Sequence, residues 1–148
     1  MEVRFYHLTQ QSLNEALPAI LVKALAGERR VVVKLPDEKI VEAMNTHLWV
    51  YRENSFLPHG AKKDGYADAQ PVWLTHKDEN PNGADVLVLT GGSTSDQIDG
   101  FSLCCEMLNG HDDRAVSSAR ARWKSYKDAG HDVTYWQQTE TGGWEKKA

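Results

Sequence analysis

The sequence predicts an α/β fold, a single domain whose mostly parallel sheet is covered by helices on both faces. Segments rich in β-branched and aromatic residues alternate with segments of helical periodicity, which is typical of parallel strands joined by helices. The 148 residues, 41% of them hydrophobic, suffice for one core and are too few for two ordinary domains. No internal repeat of fixed period is visible.

Six strands are predicted, and a helix joins the first two. The strands lie at 3–7, 29–35, 72–75, 85–89, 101–107 and 133–137. Leu13, Leu17 and Leu21 recur at helical spacing after the first strand, and Gly27 follows where a C-terminal cap belongs. Residues 54–70 are irregular, and loops of such length are either functional or mobile.

Two further helices and a tail complete the predicted domain. A second helix opens at Pro36, and a third spans 112–130. We assign residues 1–138 to the α/β domain and 139–148 to a C-terminal tail. Trp144 suggests that this tail docks on the domain, where it either covers a sheet edge or extends a partner surface.

Composition excludes several classes of protein. The net charge of -4 argues against a protein that coats nucleic acid along its whole surface. No run of about 18 apolar residues that could cross a bilayer is present, and residues 1–11 lack the pattern of an export signal. The two cysteines, Cys104 and Cys105, are adjacent, which favours a reduced, cytoplasmic setting over a structural disulfide.

The Rossmann-like outline is also compatible with a nucleotide-binding enzyme that uses the crevice at the carboxyl ends of the strands. The loops that would hold phosphate are unsuitable: residues 8–11 contain no glycine, and 91–95 lack the lysine of a P-loop. The six histidines show no metal-ligand spacing, and no serine stands in a G-x-S-x-G elbow. We expect no catalytic residue, metal or cofactor, with the nucleotide-binding enzyme as the alternative.

The predicted third helix is strongly basic. Residues 114–130 contain five basic residues and one acidic residue, a net charge of +4 in an otherwise acidic chain. At 3.6 residues per turn, one face of the helix combines cations with apolar side chains. That face consists of Val116, Arg120, Trp123, Lys124 and Lys127.

Three interpretations of this face remain open. Charged runs are usually solvated surface whose long stems cover apolar groups. A tryptophan among cations also suits an acidic peptide ending in an aromatic residue, or single-stranded nucleic acid whose bases stack on the ring. A peptide needs one pocket, whereas a nucleic-acid strand needs a longer track with several aromatic residues. The net charge of -4 disfavours direct DNA binding.

Four segments together resemble the chi subunit of bacterial DNA polymerase III, an accessory subunit of the clamp-loader assembly. They are 5–8 (FYHL), 49–60 (WVYRENSFLPHG), 70–72 (QPV) and 119–136 (ARARWKSYKDAGHDVTYW). The resemblance spans nearly the whole chain and implies a Rossmann-like fold without nucleotide chemistry. It also implies a non-catalytic adaptor in DNA replication.

The resemblance implies two protein partners and only indirect contact with DNA. Chi proteins bind the acidic C-terminal tail of single-stranded-DNA-binding protein, and the implied contact positions fall on the basic face defined above. The second implied partner is the psi subunit. Its implied interface consists of Trp49, Phe56, Pro58 and His59. Alternatively, these side chains anchor an irregular loop as a satellite of the core.

Overall fold

A computed structural model of the chain describes residues 1–50 and 57–148. Within these ranges the strands are β1 (Glu2–Leu8), β2 (Val31–Lys34), β3 (Gly60–Ala61), β4 (Val72–Thr75), β5 (Val86–Thr90), β6 (Leu103–Asn109), β7 (Asp132–Gln138) and β8 (Trp144–Lys146). The helices are α1 (Leu13–Ala26), α2 (Glu38–Val50) and α3 (Asp113–Asp128). Of the described helices, none is long and apolar enough to span a membrane.

The strands form one sheet in the order β3-β4-β2-β5-β6-β1-β7-β8. Every pairing is parallel except that of β7 with β8. Strand β1, the first in the chain, lies between β6 and β7, which come from the C-terminal part. Glu2 is therefore opposite both Leu103 and Asp132. The predicted Rossmann-like α/β fold with a mostly parallel sheet is confirmed.

Two hydrophobic cores lie on opposite faces of the sheet. Helices α1 and α2 cover the first core, to which Leu17, Leu21 and Met44 contribute. Helix α3 covers the second core, where Val3 and Phe5 of β1 are fully buried. Strand β5 is buried along its whole length, as expected for a central parallel strand between two helical layers.

Two short strands lie where the sequence indicated a loop and a tail. Strand β3 belongs to the segment 54–70, and Asp64 holds it by accepting hydrogen bonds from the Ala61 N–H at 2.9 Å and the Asn45 side chain at 2.8 Å. Strand β8 lies within 139–148 and pairs antiparallel with β7. Both strands have three residues or fewer, too short for an alternating pattern to be read.

Candidate protein-binding surface on helix α3

Helix α3 is stabilised by a cap at its first turn, and it packs on the sheet through one buried residue. Asp112 caps the helix, because its side chain accepts hydrogen bonds from the backbone N–H groups of Arg114 at 3.0 Å and Ala115 at 3.3 Å. Such caps stabilise a helix by about 1 kcal/mol. Ala119 is fully buried, and its small side chain lets the helix lie close to the sheet. The opposite side of the helix faces solvent.

One of the five basic residues in 114–130 is neutralised within the fold. Nε of Arg122 lies 2.7 Å from a carboxylate oxygen of Glu106 on β6, and both side chains are largely buried. Burial raises the pKa of Glu106 above its ordinary value, although Arg122 acts in the opposite direction. Glu106 could not be recognised as an ion-pair partner from the sequence, because it stands in the apolar segment 101–107, which predicts a buried strand.

The five residues predicted to bind an acidic tail, called the α3 surface below, comprise an apolar pair and three cations. Val116 and Trp123 are partly buried and pack against the second core. Arg120, Lys124 and Lys127 are exposed, and the structure gives them no ion pair with any described residue. The Lys127 ammonium lies 4.6 Å from the centre of the Trp123 ring, a cation–π distance.

Trp123 is turned partly toward the protein interior. Its indole N–H is buried and has no hydrogen-bond partner among the described residues. Its ring packs on the second core, as does the ring of Tyr126. Only part of the Trp123 ring is therefore available to a ligand.

Two side chains on the sheet lie near Arg120 of the α3 surface. Nδ1 of His7 on β1 lies 2.6 Å from the Tyr135 hydroxyl on β7, and the Tyr135 ring stacks on Phe5 with 5.8 Å between centroids. Burial lowers the pKa of His7, and the positive charge of Arg120 lowers it further. The contact between His7 and Tyr135 could not be predicted from the sequence, because 128 positions separate the two residues along the chain.

We expect the substitution Arg120→Ala to raise the pKa of His7, because it removes one of the charges that oppose protonation. Burial and His111 still act on the ring, so the pKa stays below its ordinary value of 6.5. The unfolded chain then binds more protons than the folded one between these two pKa values, and stability falls as the pH drops through that window. An NMR titration of the His7 ring protons measures the change. Lys124→Ala is the control, and an equal response to both variants would contradict the assignment.

The backbone donors beside the crevice expected for a nucleotide are already hydrogen-bonded within the chain. A cavity of about 690 Å³ lies among the carboxyl ends of the central strands and the first turns of α1 and α3. The side-chain oxygen of the buried Gln138 accepts hydrogen bonds from the N–H groups of Thr9 at 3.3 Å, Gln10 at 2.9 Å and Gln11 at 3.0 Å. These are the backbone donors that would hold a phosphate group after the first strand. Their occupation by Gln138 argues against a nucleotide-binding enzyme.

The residues implied in a second interface differ in exposure. Trp49 is 48% exposed, and its ring lies 4.4 Å from that of His59. His59 is buried, with Nδ1 2.6 Å from the Leu57 carbonyl oxygen and Nε2 3.1 Å from that of Asn45. His59 therefore packs against the inner side of the Trp49 ring, and little of its own side chain is accessible to a partner.

The two other residues of that interface give less information. Pro58 is partly buried, and Phe56 lies outside the described residues.

Within residues 1–50 and 57–148, no group of three His, Cys, Asp or Glu side chains could hold a metal ion.

The structure defines a Rossmann-like α/β protein whose backbone donors after β1 are bonded by Gln138 and whose helix α3 exposes a basic surface. The chain belongs to the DNA polymerase III chi subunit (HolC) family, whose model matches residues 1–134. Members of this family are accessory subunits, which makes the chain an accessory rather than a catalytic subunit of DNA polymerase III.

Two relatives carry the same description. The probable DNA polymerase III subunit chi of Rickettsia prowazekii (strain Madrid E) is 32% identical over 84 residues, which are 57% of this chain and 51% of that protein. The match thus spans about half of the Rickettsia protein. The DNA polymerase III subunit chi of Escherichia coli (strain K12) is 27% identical over 137 residues, covering 87% of this chain and 92% of that protein.

A solved structure with little sequence similarity shares the fold. The C-terminal domain of Dbp5 from S. cerevisiae, in a complex with Gle1 and IP6, is similar with a TM-score of 0.56. The similarity covers 91% of this chain and 90% of that chain at 10% identity. At this level of identity, it supports the α/β fold alone.

Proposed function

We propose that this chain links the clamp-loader assembly of DNA polymerase III to single-stranded-DNA-binding protein by holding the acidic C-terminal tail of that protein on the α3 surface. The observation that carries the proposal is the set of exposed cations beside Trp123 that form no ion pair with any described residue. The tail-binding contact connects the chain to DNA indirectly, through the partner protein, and takes place in the cytoplasm.

The chemistry of the α3 surface matches an acidic peptide that ends in an aromatic residue. Arg120 and Lys124 can form charge-assisted hydrogen bonds with carboxylates, and the planar guanidinium of Arg120 can bind one in a bidentate manner. Val116 and the open part of Trp123 supply apolar surface for the terminal ring. Because the chain as a whole carries a net charge of -4, attraction of an acidic peptide depends on a local excess of cations such as this one.

A second partner of the psi type is proposed for the loop that begins at Trp49. The exposed tryptophan supports this part of the proposal, because large aromatic side chains are common anchors of protein interfaces. The proposed interface consists of Trp49, Phe56, Pro58 and His59. In this proposal the buried His59 holds the Trp49 ring in place, because the two rings are in contact.

Calorimetric titration of the chain with a synthetic acidic peptide ending in phenylalanine tests the tail-binding proposal. We expect saturable 1:1 binding that weakens as salt is added, because exposed ion pairs are screened. A peptide of the same composition with the terminal phenylalanine moved to its centre serves as the matched control and should bind more weakly. Absence of binding at low salt, or equal affinity for the two peptides, would refute the proposal.

A further inference from the structure

One face of the sheet is left open beside helix α1. Helix α1 packs against β6, while the adjoining strands β1, β7 and β8 continue past it. A groove of about 650 Å³ lies between the helix and these strands. In α/β proteins such a face is normally covered by a helix. This part of the sheet therefore has unused binding surface.

Three aromatic rings from the open strands line the groove, which we call the aromatic groove. They belong to Tyr6 on β1, Trp136 on β7 and Trp144 on β8. Trp144 packs edge-on against Tyr6 with 5.0 Å between ring centroids, and both also contact the first core. Trp136 is partly exposed, and its indole N–H donates to the Thr134 hydroxyl at 3.0 Å. Its ring is the one best placed to stack on a ligand.

Among the described residues, those lining the same groove include three cations and no acidic side chain: Arg4, Lys23 and Arg29. Arg4 pairs with Glu2 at 2.7 Å and Arg29 with Asp85 at 2.9 Å, but all four side chains are more than one-third exposed. Exposed pairs of this kind contribute little to stability, so both guanidinium groups can exchange a carboxylate for another anion.

Lys23 adds an exposed cation from α1, and it forms no ion pair with any described residue. Lys146 lies on the same sheet face, since it is paired in register with Trp136. The groove thus favours a negatively charged ligand, although the chain itself is acidic.

From these residues we infer that the aromatic groove binds a few nucleotides of single-stranded DNA, with a base stacked on Trp136 and phosphates contacted by Lys23 and the two arginines. Aromatic rings on an open sheet flanked by cations are the usual means of binding single strands without sequence preference. An acidic peptide ending in an aromatic residue would match the charge but would bring only one ring, at its terminus, to a groove lined by three aromatic side chains. This contact is additional to the proposed tail binding and uses a different face of the sheet.

Fluorescence anisotropy of a labelled oligothymidylate tests this inference in the full chain. We expect Trp136→Leu to weaken binding about tenfold, because base stacking is lost while an apolar side chain remains. Lys23→Glu should weaken binding and reduce its dependence on salt, because a phosphate contact becomes a repulsion. If Trp136→Leu fails to fold, Lys23→Glu still tests the site, because Lys23 is exposed.

The matched control is Lys39→Glu, which makes the same change of charge on the exposed side of α2, at the other end of the sheet. It should leave the affinity within about twofold, as should Arg120→Ala on α3. Equal losses from Lys23→Glu and Lys39→Glu would overturn the inference, because they would indicate non-specific attraction. No binding at low salt, loss with Arg120→Ala alone, or displacement of the oligonucleotide by acidic peptide would overturn it as well.

Discussion

Alanine at Arg120 or Lys124 is expected to weaken binding of the acidic tail peptide by about 1.5–3 kcal/mol per lost charged hydrogen bond, which is roughly 10- to 150-fold in affinity. The loss should be large because neither cation has an ion pair with a described residue that would compete with the peptide. Since both side chains are exposed, their removal should leave the free energy of unfolding nearly unchanged. Calorimetric titration and urea denaturation of each variant measure the two quantities.

Arg114→Ala supplies the matched control for this prediction. Arg114 is also exposed and basic, but it lies in the first turn of α3, about 9 Å along the helix from Arg120. Arg120→Lys is a second control, because it keeps the charge but loses the planar pair of donors. If Arg114→Ala weakened binding as much as Arg120→Ala, binding would depend on the overall charge of the helix, and the proposed site would be wrong.

Glu106→Ala is expected to lower the free energy of unfolding by about 3–5 kcal/mol, the usual loss when one partner of a buried ion pair is removed. The Arg122 side chain is only 18% exposed, so its guanidinium would remain largely buried without a counter-ion. Urea denaturation of the variant and of the parent chain measures the loss. Unlike Arg120→Ala, this variant should retain peptide affinity, because the exposed cations of α3 are unchanged.

Arg122→Ala tests the same pair from the other side and makes stability depend on pH. Without Arg122 the pKa of Glu106 rises further above that of the unfolded chain, because only the hydrogen bond with Tyr126 still acts against burial. The folded state then binds more protons than the unfolded state in the window between these pKa values, so stability falls as the pH rises through it. Arg122→Ala should therefore be closest to the parent in acid and least stable at neutral pH. A loss independent of pH would contradict this account.

The sequence predicted the fold because its longer elements carry strong local signals. Strand β5 is a continuous apolar run, and α1 repeats its leucines at helical spacing, so each could be recognised in isolation. Strand β8 carries no such signal, because it is paired on one side only and has three residues. Its position depends on contacts with β7 that no local pattern encodes.

The basic character of α3 could also be predicted, but which of its cations are exposed and which are buried in an ion pair could not. Spacing alone places Arg122 next to the predicted face, and the burial of its charge depends on Glu106, a polar residue within an apolar strand. Similarly, His7 and Tyr135 become neighbours only when β1 and β7 pair. The helical wheel orients side chains within one element, whereas the surroundings of each charge are set by elements far away in the chain.

The place of β1 in the middle of the sheet has a consequence for how the chain folds during synthesis. Both of its neighbours, β6 and β7, come later in the chain. Val3 therefore cannot pair with Cys104 on one side or Val133 on the other until those strands have been synthesised. Until β6 and β7 have been synthesised, the apolar residues of β1 lack their neighbours in the sheet. Strand pairing over such long sequence separations is slow. The nascent N-terminal segment is therefore expected to be a client of chaperones, and the last strands to be synthesised complete the sheet.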